Sequence, residues 1–145
     1  MNTSSTSTIE SLLSSNHRLT RLAAQSTGST VSSAVWSTLS VLANDGPRRI
    51  GDLAKDARIS QPGMTKVIQN LVQDEWVSRV ADVDDSRAWL IVVTDKGRAA
   101  LADWRVQLAE ATSPVFADLS DTEWKVLEHA AEILASRVNR SEVAA

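Results

Sequence analysis

Apolar residues recur at helical spacing along most of this chain and give way to a strand-like pattern in one place. Residues 1–8 are rich in Ser and Thr with no apolar period, which predicts a mobile tail. From Ile9, the set Ile9, Leu12, Leu13, Leu19, Leu22 and Ala23 follows a helical spacing up to Gly28. A second helix starts at Ser32 or Ser33 with Val35, Trp36, Leu39, Leu42 and Ala43 as its buried stripe, and "NDGP" at 44–47 ends it. Ile50, Leu53, Ala54 and Ala57 then fit a helix of barely two turns. Ser60 caps the next one, where Pro62 is tolerated because first-turn amides have no intrahelical acceptor. Met64, Val67, Ile68, Leu71 and Val72 are its core stripe, and two short helices joined by a tight turn make a helix-turn-helix.

Beyond it, "WVSRVA" (76–81) and "WLIVV" (89–93) flank the polar "DVDDSR", which reads as a two-stranded hairpin with a charged tip. Thr94 caps a helix with Leu101, Trp104, Leu108 and Ala111 on its apolar edge, ending before Pro114. In "LSDTEW", Ser120 and Glu123 form a capping box, with Leu119 and Trp124 as the matching staple. The last helix repeats Trp124, Leu127, Ala131, Leu134 and Val138 at alternating steps of three and four, a seam suited to another helix.

Composition narrows the classes. A chain of 145 residues fits one domain with extra helices for assembly, and the absence of cysteine excludes disulfides, thiolate metal sites and thiol redox sensing. No apolar run is long enough for a membrane span and the N-terminus has no signal-peptide pattern, so a soluble cytoplasmic protein with no membrane partner is expected. The net charge of −3 speaks against nucleic acid on average. Between Arg48 and Arg98, however, nine Lys/Arg meet eight Asp/Glu, so the middle of the chain is slightly positive and the rest is acidic.

The order of elements is that of a winged helix-turn-helix between flanking helices, and here the sequence resembles the MarR family of bacterial transcription regulators. "VSSAVWSTLSVL", "GP" and "DLA" are similar to the family's second helix, turn and third helix; "ISQPGMTKVIQNL" to its recognition helix; "WVSRVADVDDSR" and "VVTDKG" to its wing and fifth helix. Two positions depart from the pattern. Glu75 stands where the family commonly has Gly, which can adopt positive φ, and Asp85-Ser86-Arg87 replaces Asp-Arg-Arg. The expected fold is mainly α with a small β-hairpin wing: residues 31–101 form the DNA-binding region, 9–27 and 114–140 the helical dimerisation region, and 141–145 a second tail.

With the apolar stripe of the recognition helix turned inward, Pro62, Thr65, Lys66, Gln69 and Gln73 lie on the opposite face, and the N-terminal half of such a helix is the part that reaches base edges. Gln61 and Gln69 can pair with adenine, Thr65 and Lys66 suit phosphate or guanine, and Ser60 with the first-turn amides forms a phosphate site. Arg87 on the hairpin tip fits a narrow minor groove, and the resemblance implies Asp85 as its orienter. Arg79, Arg48 and Arg49 are backbone-contact candidates, against the plainer reading of bracing or surface charge. A solvated polar face would be the ordinary reading of an isolated helix; its place between a short helix and a charged-tip hairpin reverses that preference.

Other residues keep plainer roles. Trp124 is expected as a staple, Trp76 and Trp89 in hairpin packing, and Trp104 on an apolar edge. The resemblance implies an effector pocket near Trp36, where His17 and Arg21, one turn apart, would meet a small anionic or aromatic effector; a solvated role for both is the plainer alternative. No metal site, cofactor or catalytic motif is expected: His17 and His129 are far apart, and neither a phosphate loop nor a Ser nucleophile elbow is present. The expected function is a homodimeric repressor of double-stranded DNA relieved by a small molecule. A winged-helix module that docks a protein, and a ligand binder with vestigial DNA contacts, are the rivals.

Overall fold

Each apolar stripe forms a helix, and those of the central helices turn inward. In the computed structural model, which describes residues 3–143, the order is α1 (Thr3–Ser26), α2 (Ser33–Asp45), β1 (Arg48–Arg49), α3 (Ile50–Ala57), α4 (Gln61–Gln73), β2 (Val77–Ala81), β3 (Trp89–Val93), α5 (Asp95–Thr112), a 3₁₀ turn (Ser113–Phe116) and α6 (Asp121–Val143). The chain divides into two compact units, Met1–Ala111 and Thr112–Ala145.

In the first unit, Leu39 and Leu42 of α2, Leu53 of α3, Met64, Ile68 and Leu71 of α4, and Val77, Ile91 and Val93 of the sheet form one buried core with Leu101 of α5. Burying each such side chain contributes about 1.5–3 kcal/mol, so this cluster is what fixes α4 and the wing in place. The sheet has order β1-β3-β2, all antiparallel, with Val77 opposite Val93 and Ala81 opposite Trp89. The hairpin thus forms as expected, but a third strand joins it: Arg48 pairs with Ile91 and Arg49 with Leu90. Two residues carry no readable period, which is why β1 escapes a sequence pattern.

Helix ends follow local chemistry. Thr94 Oγ1 accepts from the Gly97 amide at 3.0 Å and so caps α5. Its hydroxyl in turn donates to Glu75 O at 2.7 Å. Glu75 has φ +60, the left-handed conformation usually given to Gly, and the turn closes by Trp76 N–H to Leu71 O and Glu75 N–H to Val72 O, a Schellman pattern. Arg58 closes α3 in the same way at φ +54, with Ile59 N–H to Ala54 O and Arg58 N–H to Lys55 O. A Cβ on Gly97 would lie 2.1 Å from Trp76 O, so only glycine lets α5 start this close to the wing.

In the segment 1–8, expected as a mobile tail, α1 is helical from Thr3, and Met1 and Asn2 lie outside the described residues. Its hydroxyls are satisfied within the helix, as Thr8 Oγ1 donates to Ser4 O and Ser26 Oγ to Leu22 O, both at 2.9 Å. The second tail is likewise shorter than expected. Helix α6 runs to Val143, and residues 144–145 lie outside the described range.

Helix α1 buries only Ala23 and exposes Ile9, Leu12, Leu13 and Leu22. In the second unit, Ser120 Oγ accepts from the Glu123 amide at 3.4 Å while Glu123 Oε2 accepts from the Ser120 amide at 2.8 Å, the expected reciprocal cap. The Ser120 amide, then its hydroxyl, hold the Glu123 carboxyl below its ordinary range. The Trp124 ring lies against Phe116 with centroids 6.1 Å apart. Helix α6 exposes Trp124, Leu127, Ile133, Leu134 and Val138.

Candidate nucleic-acid interface

Helix α4 separates its two faces sharply. Met64, Ile68 and Leu71 are buried, while Gln61, Pro62, Lys66, Gln69 and Gln73 are exposed. Ser60 Oγ accepts from Gly63 N–H at 3.2 Å, so the cap is formed. That bond narrows the expected phosphate site, because Gly63 is satisfied and Pro62 has no amide. The Ser60 hydroxyl proton and the Gln61 amide are the donors left at this end. Thr65 differs from expectation as well: it is half-buried and its hydroxyl donates back to Gln61 O at 2.9 Å, so in this rotamer it offers DNA an acceptor only.

The wing is built around an acid that sequence reading grouped with the solvated charges of the tip. Asp82 is only 7% exposed; its Oδ2 accepts from Arg49 Nε and Nη2 at 2.9 and 2.5 Å, and its Oδ1 from the Asp84 amide at 3.0 Å. The Asp84 amide first, and then Arg49, hold the Asp82 carboxyl below the usual carboxylate range. Arg49, a candidate for DNA backbone contact, therefore serves as a brace between β1 and the base of the wing. Arg48 likewise turns inward on its own segment, donating to Asp45 O and Pro47 O at 3.0 and 3.1 Å.

At the tip, Asp85 Oδ1 accepts from the Arg87 backbone amide at 3.1 Å, and Asp85 O from the Ala88 amide at 2.9 Å. Asp85 thus shapes the chain on which Arg87 stands, through the backbone. Among the described residues neither Arg87 nor Arg79 takes part in an ion pair, and both are exposed. The two guanidinium groups on the wing and Lys66 on α4 are thus exposed cations without an ion pair among the described residues.

The tryptophans rearrange more than any other group. Trp36 stacks between Trp104 (4.8 Å, planes 8° apart) and Trp76 (5.3 Å, 30°). This joins α2, the start of the wing and α5, so Trp76 is a core element and Trp36 is no open aromatic wall for a ligand. The Trp36 Nε1 is buried without a hydrogen-bond partner. His17 and Arg21 are exposed on α1, and neither bonds to Trp36. Trp89, expected to pack the hairpin, is instead exposed.

A reading helix seated on its own core, with a braced hairpin ending in a free arginine, defines a winged helix-turn-helix DNA-binding regulator. The MarR family profile matches residues 31–89. An HTH-type transcriptional regulator of Mycobacterium bovis is 32% identical over 113 residues, covering 78% of this chain and 79% of that protein. The homoprotocatechuate degradative operon repressor of Escherichia coli is 27% identical over 97 residues, covering 67% and 66%. In fold, the crystal structure of the transcriptional regulator Tm0710 from Thermotoga maritima matches with a TM-score of 0.71 at 19% identity, covering 93% of this chain and 96% of that one. The chain belongs to the MarR family, whose members are DNA-binding transcriptional regulators and not enzymes. No helix among the described residues is long and apolar enough to cross a membrane.

Proposed function

We propose that the chain is a homodimeric repressor that reads a pseudo-palindromic operator with one α4 per half-site, and that a small molecule relieves it. The observation that carries this is the pairing of an exposed row on α4 (Gln61, Lys66, Gln69) with a braced wing whose Arg87 has no acid partner. Gln61 and Gln69 would read base edges, Ser60 and Lys66 phosphate, and Arg87 the adjacent minor groove. Pro62 sets the first turn against the backbone, Thr65 accepts, Arg79 contacts phosphate and Asp85 holds the Arg87 segment.

Dimerisation is supported by the apolar rows that α1 and α6 leave in water, which a second copy would cover. Half-sites would then lie about one helical turn, roughly 10 bp, apart. Repression is supported by the relative that carries that role in its name. An effector, small and anionic or aromatic, would act near Trp36, with His17 and Arg21 as candidate charge partners; the Trp36 Nε1, buried and unpaired, would become a donor only if the tryptophan stack opened. It would work by favouring one spacing of the two reading helices over another.

The test is selection of sites from a random duplex pool by the full chain, followed by titration of the winner at several salt concentrations. An inverted repeat bound with a slope near −0.9 per phosphate in log K against log salt is expected. Gln69→Ala should relax one position by ~1–3 kcal/mol. Failure to enrich any sequence, or salt-indifferent binding, would point to a protein-docking module instead.

A further inference from the structure

The wing tip carries apolar surface that the packing of the hairpin leaves in water. On the inward face of β3, Ile91 is fully buried and Val93 nearly so, yet Trp89, two residues nearer the tip, is 56% exposed. Its cross-strand neighbour is Ala81, whose single methyl covers little of an indole. One further bond closes the hairpin beyond that pair, Asp82 N–H to Ala88 O at 3.1 Å, and Val83, next along the tip, is 95% exposed. Among the described residues Trp89 has no ring partner, whereas the other four tryptophans each have one.

We propose that Trp89 is a DNA-contacting residue that packs against the deoxyribose wall of the groove entered by Arg87, with Val83 on the other side of the tip. The inference rests on the DNA-reading surface proposed above and adds a contact of a different kind. Charge at this tip is close to balanced. Arg49 and Asp82 satisfy one another, Asp84 and Asp85 equal Arg79 and Arg87 in number, and Ser86 adds no charge. Coulomb attraction alone therefore gives this wing little hold on a polyanion. Deoxyribose carbons and groove walls offer apolar surface, and apolar side chains are used as wedges in minor grooves. An indole whose backbone is already ordered in a strand gains from leaving water and costs only side-chain freedom in doing so.

The salt signature separates this from a charged interaction. Truncating a side chain that neutralises phosphate lowers both affinity and the salt slope; truncating one that packs on sugar lowers affinity and leaves the slope alone. The duplex enriched by the full chain from a random pool is the probe. Trp89→Ala should weaken its binding about ten-fold with an unchanged slope, Trp89→Phe should retain most of the affinity, and Arg87→Ala should reduce the slope by about 0.9. Saturating duplex should also shield from acrylamide an indole signal that is absent in Trp89→Phe.

Parent-like affinity of Trp89→Ala, or unchanged acrylamide access on saturation, would overturn the contact while leaving DNA reading intact. A salt slope that falls with Trp89→Ala would overturn the apolar mechanism. Shielding of Trp89 at rising protein concentration without DNA would assign the residue to a contact between copies and overturn it too. If the parent chain bound no duplex, the reading surface itself would fail, and this proposal with it.

Discussion

Helices α4 and α6 look alike in sequence: each begins at a Ser cap and repeats large apolar residues at steps of three and four. In the fold they differ completely. Helix α4 sinks Met64, Ile68 and Leu71 into the core of its own chain, whereas α6 leaves Trp124, Leu127, Leu134 and Val138 some 40% or more in water. An apolar stripe states that a surface must be covered, and it does not state by what. The core under α4 is complete within one chain; the stripe of α6 is left exposed, and in the proposed dimer it would be a half-interface.

The comparison can be broken most directly at Ile68. Ile68→Ala should lose about 3 kcal/mol of stability in urea unfolding, with DNA binding following it, because a fully buried side chain leaves a cavity. A variant of parental stability would mean that the α4 core is looser than its burial implies. Leu134→Glu should instead leave the fold of the first unit intact and weaken self-association at least ten-fold, about 1.4 kcal/mol, in sedimentation or light scattering. Unchanged assembly would remove α6 from the interface.

Glu75→Gly should stabilise the chain by roughly 1 kcal/mol, since φ +60 is strained for any residue with a Cβ. The ion pair with Lys96 that disappears in this variant, 3.0 Å long but exposed, offsets little. A loss of stability on thermal melting would show that the Glu75–Lys96 ion pair outweighs the backbone strain. The smallest effect concerns pH. The Asp82 carboxyl is held below its unfolded value, so its contribution is complete above the ordinary carboxylate pKa and disappears as pH falls through the depressed one. Parent affinity for DNA should therefore fall on acidification more than that of Asp82→Asn, which has already lost the charge; equal pH profiles for the two would exclude Asp82 as the wing's brace.

Much of this was readable from the sequence, for a physical reason. Stripes and caps are local, each set within a few residues, and the positive φ at Glu75 was implied by the resemblance. What escaped was non-local. The Arg49–Asp82 brace spans 33 positions, and a buried acid in a polar turn reads the same as a solvated one. The Trp36–Trp76–Trp104 stack joins three elements whose order, and not whose pattern, brings them together. At the site the exposed row of α4 was legible. The back-bonded Thr65 hydroxyl and the exposed Trp89 depended on rotamer and neighbour size, which no periodicity encodes.

The brace at Asp82 has a consequence for how such a protein can be tuned. Arg49 ties the wing to the segment that begins α3, Gly97 clamps the wing's first residue to α5, and the core holds α4 against the same sheet. Helix and wing therefore travel together as one jaw of a calliper whose bite is fixed. In the proposed dimer the length of a half-site would be an invariant of the fold, and the gap between half-sites the only dimension left for evolution, or a small molecule, to adjust.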